Sequence, residues 1–503
     1  MVTPSGLSAR CTALICRAES RRLAASGRIH ETRLRAENGQ FFTPALAARL
    51  LASLIKLDST LTVLDPGAGS GILSAALTAR WLTETTAGHL HIVAVERDEV
   101  LLPDLRATLA DCETTARDSG RHFTFEIIHN DFIVFATTEL IARPGSYDVV
   151  IQNPPYAKLR SESSTRKAVQ RLGSDAPNLY AAFLALSLRC LRPGGQIAAI
   201  TPRSFCNGPY FKVFRADLLD RLALTRLHIF RSRTSVFADT NVLQETIMFS
   251  GVAHGSHTTV TLSESSDHVD TPTTRTVPYG EVVWSNDPDR FIRVAVSDTD
   301  RAVSARVAGL QATLTDLKLT VSTGKVVEFR SRDSLFVKKT SGGAPVIYPW
   351  HLHNGRIQWP GPLHKKQWFV PADARENAML LPEGWYCAVK RITSKEEKRR
   401  LVAGIWSPDT HPGPVAFENH LNVFRCAGEG LDETLTVGLC IWLNSTLADS
   451  FLRTFSGHTQ VNAADLRSMR WPTAKTLRQF ASDANLAQCL TTSAIDSIVN
   501  AAL

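Results

Sequence analysis

The stretch that decides the fold is Leu61-Thr62-Val63-Leu64-Asp65-Pro66-Gly67-Ala68-Gly69-Ser70-Gly71, which runs directly into the helix-like Ile72–Trp81. A compact apolar run, a glycine-rich turn and a helix in immediate succession make a strand–turn–helix unit. Glycines permit positive φ and let a ligand approach the backbone with no Cβ in the way. Such a turn suits a nucleotide, although a plain tight turn would look the same. The next apolar run, His91–Val95, sharpens the reading because it ends in Glu96, where a carboxylate can accept from both hydroxyls of a ribose. The glycine spacing departs from the phosphate-binding G-x-G-x-x-G, and Asp65 would repel a pyrophosphate. A cationic nucleoside is favoured over a dinucleotide, and S-adenosyl-L-methionine carries both a sulfonium and an ammonium.

Working outward, short apolar runs alternate with helical stretches from Leu61 to Phe249. Strands are predicted at Leu61–Leu64, His91–Val95, Thr124–Ile128, Tyr147–Ile151, Gln196–Ile200, Leu227–Phe230 and Leu243–Phe249. Helices are predicted between them at Ile72–Trp81, Leu101–Thr108 and Leu179–Leu191, the last stopped by Arg192-Pro193-Gly194-Gly195. This order predicts a doubly wound, Rossmann-like α/β domain with a largely parallel sheet. Between Gly251 and Asp300 the texture turns polar, and a linker or domain border is expected there. Beyond it, motifs such as Tyr348-Pro349-Trp350-His351 and Gly384-Trp385-Tyr386 indicate a mixed α+β second domain.

A second chemical signal is Asp148-Val149-Val150-Ile151-Gln152-Asn153-Pro154-Pro155-Tyr156. A buried strand here delivers a rigid Asn-Pro-Pro corner to the carboxyl edge of the sheet, where open α/β proteins place their ligands. Two prolines fix φ and remove N–H donors, so acceptors point outward. The Asn153 side-chain carbonyl and the Pro154 backbone carbonyl can both accept from one amino group, while the Tyr156 ring can stack on the attached heterocycle. An exocyclic amine is a poor nucleophile because its lone pair is delocalised. Two such hydrogen bonds would draw its nitrogen toward sp³ geometry and free that pair to attack a sulfonium methyl, with no metal and no covalent enzyme intermediate. Two further segments bear on the cofactor. Asn130-Asp131 follows a strand, and Asp131 could accept from an adenine amine or simply cap a helix. In Gly39-Gln40-Phe41-Phe42-Thr43-Pro44, Thr43 and Pro44 read as a capped helix start, whose N–H groups could also hold a carboxylate.

Composition narrows the class. With 503 residues, 44% hydrophobic and 21% charged, the chain has the profile of a globular protein of two or three domains. No run reaches the roughly 18–20 apolar residues of a membrane span, and charges such as Arg10, Arg17 and Glu19 break up the N-terminus, so a cytoplasmic protein with no membrane partner is expected. The nine cysteines form no CxxC pair and no zinc spacing, so no metal site is expected. A net charge of +8 favours a polyanionic partner.

Taken in order, Phe41-Phe42-Thr43-Pro44, Asp65-Pro66-Gly67-Ala68-Gly69-Ser70-Gly71 and Asn153-Pro154-Pro155-Tyr156 resemble the gamma class of amino-methylating DNA methyltransferases. Val321–Arg330, Phe417–Asn422, Asn444–Leu447 and Gly457–Asn462 look like the PstI/BsuBI-like adenine methylases of type II restriction–modification systems. The resemblance covers the whole chain. It implies transfer of a methyl group from S-adenosyl-L-methionine to N6 of an adenine flipped out of double-stranded DNA. It implies residues 1–35 as an N-terminal helical extension, 36–255 as the catalytic domain and 256–503 as the target-recognition domain. It further implies a monomer, with room for a cognate restriction endonuclease acting separately. By position, Thr43 and Pro44 would touch the methionine moiety, Asp65, Gly67 and Gly69 would line the cofactor, Glu96 would bind the ribose and Asp131 would meet the cofactor adenine. Asn153, Pro154, Pro155 and Tyr156 would form the catalytic corner. Phe237 aligns with a second base-stacking aromatic, although a core phenylalanine fits equally. The family's turn usually has an apolar or Cys residue where Gly67-Ala68 stands here, which leaves the contact at Gly67 open.

Lys390 and Arg391 begin the basic segment Lys390–Arg400, which fits either phosphate contact or a solvated helix face. Asn-Pro-Pro-Tyr turns also serve protein glutamine methyltransferases, whose substrate amide presents a similar NH₂, but those chains are shorter. RNA adenine methylation uses the same chemistry and is separated from the DNA reading by sequence-specific duplex binding. A DNA-binding scaffold with a relict cofactor fold is the non-enzymatic rival, against which the intact Asn153, Pro154, Tyr156 and Glu96 speak. No nuclease motif is visible.

Overall fold

The computed structural model describes residues 4–29, 42–230, 245–266, 271–362, 364–393, 397–426, 429–456, 460–484 and 491–503. They form two compact units, Met1–Val296 and Ser297–Leu503.

The first unit is built on a nine-stranded sheet. Its strands are β1 (Leu61–Pro66), β2 (His89–Glu96), β3 (His122–His129), β4 (Tyr147–Gln152), β5 (Leu191–Pro202), β6 (Leu222–Phe230), β7 (Thr246–Ala253), β8 (Thr259–Ser265) and β9 (Thr273–Pro278), in the spatial order β3-β2-β1-β4-β5-β7-β6-β8-β9. From β3 to β5 every pairing is parallel, whereas β7 runs antiparallel between β5 and β6. The central parallel strands β1 and β4 are mostly apolar because both faces are covered, whereas the edge strand β3 carries exposed polar residues. Leu64, Val93, Val95 and Val150 enter one core cluster, and their neighbours Val63, Ile92, Ala94 and Val149 enter the other. The expected doubly wound α/β sheet is present.

Topology places the functional edge. The chain goes from β1 outward to β2 and β3, then returns to the other side of β1 for β4 and β5. A crevice opens at the carboxyl ends of β1 and β4, where the strand order reverses. Both sequence signals sit at this point, since Gly67 follows β1 and Asn153 follows β4. Helix Leu179–Cys190 ends before Arg192-Pro193-Gly194-Gly195, with Gly194 at φ +80°.

The N-terminal extension is a helix over Pro4–Ile29, whose Cys11, Leu14, Ile15 and Ala18 join the core with Ala75, Ala76 and Leu105. The border expected at residues 255/256 falls elsewhere. β8 pairs parallel with β6, β9 pairs with β8, and Val260, Leu262, Ile292, Val294 and Val296 belong to the same core as Leu64. Alternating strands with one solvent-facing side look polar in sequence, which is why this stretch reads as a linker. Phe237, Leu243 and the segment 39–41 lie outside the described residues.

The second unit is mixed α+β, as its texture suggested. Leu319–Thr323, Leu421–Cys426, Tyr386–Lys390, Ala403–Trp406, Arg356–Ile357 and Leu352–His353 form one sheet in that order, and Leu335–Phe336, Trp368–Phe369, Ala344–Ile347 and Ala416–Phe417 a second. Trp406, Trp442 and Trp471 are fully enclosed in this unit. The described residues of Lys390–Arg400 are not helical, unlike the helix face that one reading gave. Lys390 ends a strand, Arg391 is tied to the Asn419 carbonyl and the Gln460 side chain, each at 3.1 Å, and Arg400 is buried with Nη1 donating to the Ser456 carbonyl at 2.6 Å. No single described helix is long and apolar enough to cross a membrane.

Candidate active site

After β1 the backbone folds back through Gly67 and Gly69, at φ +70° and +58°. The N–H groups of Gly67 and Ala68 both donate to the Val95 carbonyl, at 2.8 and 3.0 Å, which fastens the turn to the end of β2. Gly71, at φ +85°, opens helix Ile72–Glu84, and a Cβ there would press on Leu105 at 3.0 Å.

Glu96 closes the turn from the other side. Its carboxylate accepts from the backbone N–H groups of Gly69, Arg97 and Asp98, each at 2.8 Å, although the side chain is buried. Burial raises its pKa, and the three N–H donors work against that shift. A carboxylate has about four lone-pair positions, so one remains for a ligand hydroxyl.

The glycine turn, Glu96, Asp131, Asn153 and Pro155 line one cleft, which encloses about 730 Å³ including its open mouth. Phe42, Leu101, Phe132 and Phe183 supply its apolar walls, with the rings of Phe132 and Phe183 4.8 Å apart. Asp131 has the capping role: it accepts from Ile133 N at 2.8 Å, and its second oxygen stands 3.4 Å from Arg97 Nη1 while the residue also faces the cleft. Cap and ligand contact are thus compatible here. A ribose acceptor, bare glycine backbone and an apolar slot suit an adenosyl group. The slot is narrow at Gly67, where an added Cβ would stand only 3.5 Å from the Phe183 ring.

Three expected contacts are placed differently. Asp65 lies wholly buried behind the turn, accepting from Ser74 Oγ at 2.6 Å, outside the cleft lining; burial pushes its pKa up to about 7. Pro44, not Thr43, occupies the cap position of helix Ala45–Ser53, and the first N–H of that helix donates to the Glu19 carboxylate at 3.1 Å. The place offered to a ligand carboxylate is therefore taken by the N-terminal helix. Thr43 is buried and serves another partner, its hydroxyl accepting from Asn153 Nδ2 at 2.9 Å.

That bond orients the amide of Asn153. With Nδ2 directed to Thr43, Oδ1 accepts from the Tyr156 hydroxyl at 3.0 Å. Tyr156 is buried, edge-on to Tyr180 with ring centroids 6.3 Å apart, and burial raises its pKa, so it keeps its proton to donate. Neither Tyr156 nor Pro154 forms part of the cleft lining. Phe42, Leu101, Phe132 and Phe183 were missed as site residues in the sequence. Phe132 follows Asp131 at a strand end, which was a usable signal. Phe183 sits inside an apolar helix with nothing to mark it.

A sheet that reverses at β1/β4, with a cleft suited to a nucleoside at the reversal and an antiparallel β7 inserted between β5 and β6, has the S-adenosylmethionine-dependent methyltransferase fold. Residues 96–237 match the family model described as Eco57I restriction-modification methylase. The type II methyltransferase M.PstI of Providencia stuartii is 39% identical over 492 residues, covering 96% of both chains, and M.BsuBI of Bacillus subtilis is 36% identical over 449 residues, covering 87% of this chain and 88% of that one. The type IIL restriction–modification enzyme MmeI, solved with DNA, superposes with a TM-score of 0.55 over 96% of this chain and 73% of its own at 11% identity, a likeness of fold. The chain belongs to the type II DNA methyltransferases of restriction–modification systems.

Proposed function

We propose that this protein methylates N6 of adenine at a specific site in duplex DNA, and so protects that site from a cognate restriction endonuclease acting as a separate protein. The observation that carries the reading is that Asn153 and the glycine turn share one cleft. Bound S-adenosylmethionine supplies an electrophilic methyl group there. Gly67 and Gly69 give it bare backbone, Glu96 takes its ribose, and Leu101, Phe132 and Phe183 enclose its base beside Asp131. Thr43 and Tyr156 hold the Asn153 amide so that Oδ1 meets the target amine. The Pro154 carbonyl, which stands outside the cleft lining, is the second acceptor only once the target base has entered, and Pro155 stiffens the corner. A target adenine reaches this corner only when flipped out of the stack, because N6 is inaccessible in the duplex. The second unit then holds and reads the DNA, with Lys390 and Arg391 near the contact. We further read the enzyme as a cytoplasmic monomer.

The test is direct. Plasmid DNA incubated with the protein and S-adenosylmethionine is digested to nucleosides and analysed by mass spectrometry. N6-methyladenine that disappears with Asn153→Ala supports the reading. N4-methylcytosine in its place overturns the base assignment, and label found only on RNA or protein overturns the DNA assignment.

A further inference from the structure

The second unit has a cleft of its own, where two adjoining hollows share Glu328, Lys366, Glu418 and His420 in their walls. At its floor Glu418 is 2% exposed, accepting from the His420 backbone N–H at 2.8 Å and paired with His420 Nδ1 at 2.8 Å. Tyr348 lines the same cleft at 6% exposure, and its hydroxyl has no hydrogen-bond partner among the described residues. A buried hydroxyl without a protein partner is costly and uncommon in native proteins, so this one is open to a water or a ligand atom in the cleft. Burial raises the pKa of both Tyr348 and Glu418, with the charge of Glu328 adding to each.

The rim is of the opposite character. Lys365, Lys366 and Lys390 line one hollow and Arg332 the other. Trp350 stacks on Tyr348 at 5.6 Å and 15°, and Phe329 stands 76% exposed at the edge. A lone phosphate is a poor occupant, since its charge would meet Glu418 and Glu328. A duplex edge is a good one, because groove-facing base amines donate to carboxylates while flanking phosphates meet lysines.

We propose that this cleft reads the target sequence: Glu418 accepts a hydrogen bond from the exocyclic amine of a cytosine or adenine, Tyr348 Oη pairs with a neighbouring polar atom of the base edge, and Lys365, Lys366 and Lys390 hold the adjoining phosphates. The proposal rests on the DNA reading above and adds the residues that set specificity.

The experiment uses the full chain as wild type, Glu418→Gln, Tyr348→Phe and Lys366→Ala. Each methylates a plasmid library of randomised sites, read by single-molecule sequencing, and each is titrated with S-adenosylhomocysteine. Glu418→Gln and Tyr348→Phe are expected to lose ~5- to 100-fold discrimination at one base position while keeping wild-type S-adenosylhomocysteine affinity. Lys366→Ala is expected to weaken binding evenly across sequences, with the salt slope falling by about one. Tyr348→Phe removes only an unpartnered atom, so misfolding gives it no excuse. An active Tyr348→Phe and Glu418→Gln pair with wild-type discrimination overturns this proposal and leaves the DNA reading standing. A wild type that binds S-adenosylhomocysteine yet methylates no duplex overturns the parent reading and this one with it.

Discussion

Replacing Thr43 with valine deletes one hydroxyl and keeps the side chain's volume, which isolates the bond from Asn153 Nδ2 at 2.9 Å. Thr43 is 3% exposed, so water does not readily take the hydroxyl's place on that side, whereas Asn153 is only half-buried. Depriving a fully buried amide of its partner costs ~1–3 kcal/mol, which is the upper bound for the half-buried Asn153. If that bond holds Oδ1 on the target amine, the cost appears in the transition state, and at about 1.36 kcal/mol per tenfold it slows methyl transfer by roughly 5- to 150-fold. The half exposure of Asn153 favours the lower part of that range. Rapid-quench single-turnover methylation of a cognate duplex gives the rate of the chemical step, and calorimetry with S-adenosylhomocysteine gives cofactor affinity. The expected outcome is a slowed step with nearly unchanged affinity. Unchanged chemistry with an affinity loss of tenfold or more would mean that Thr43 serves the methionine moiety instead, and the brace would be refuted.

Gly67→Ala forces a side chain into φ +70° and aims a Cβ at the Phe183 ring, at a backbone cost of ~1–2 kcal/mol; thermal melting should report the loss together with weakened S-adenosylhomocysteine binding. Glu96→Gln puts an NH₂ among three backbone donors and should weaken S-adenosylhomocysteine binding ~10- to 100-fold by calorimetry. Asp65 gives a pH dependence with a defined sign. Its folded pKa of about 7 lies above the ordinary aspartate value of 3.8, so its contribution is fully present below about pH 4 and is lost as pH rises toward 7. Asp65→Asn lacks this loss. The stability of the variant minus that of wild type, from urea unfolding without ligand, should therefore grow between pH 4 and 7 and level off above; a flat difference would mean that Asp65 is not buried as described.

The parts of the site legible in the sequence are those set by neighbours along the chain. The glycine turn after β1, Glu96 closing β2 and the Asn153 corner after β4 each follow from a strand that ends and a backbone that must turn. What the sequence hid depends on distant partners. Thr43 and Asn153 are 110 positions apart, so the hydroxyl looked like a helix cap when it was an amide brace. Asp65 sits two residues before Gly67, yet the next turn of helix brings Ser74 to it and leaves it behind the cleft. Phe183 faces the nucleoside slot only because its helix packs with that face inward. Gly251–Asp300 reads as holding a linker or border because β8 and β9 reveal themselves only by pairing, β8 with β6 and β9 with β8. In the second unit, Arg391 and Arg400 read as free surface charge in sequence, but their guanidiniums are held by the Asn419 and Ser456 carbonyls.

A crystal structure of the protein with sinefungin and a duplex carrying its target adenine tests the central claim most directly. The account predicts a ribose hydroxyl on Glu96, the nucleoside base against Leu101, Phe132 and Phe183, and the flipped adenine's N6 within hydrogen-bond distance of Asn153 Oδ1. A target base held elsewhere, with Asn153 still closed upon Thr43 and Tyr156 alone, would contradict it.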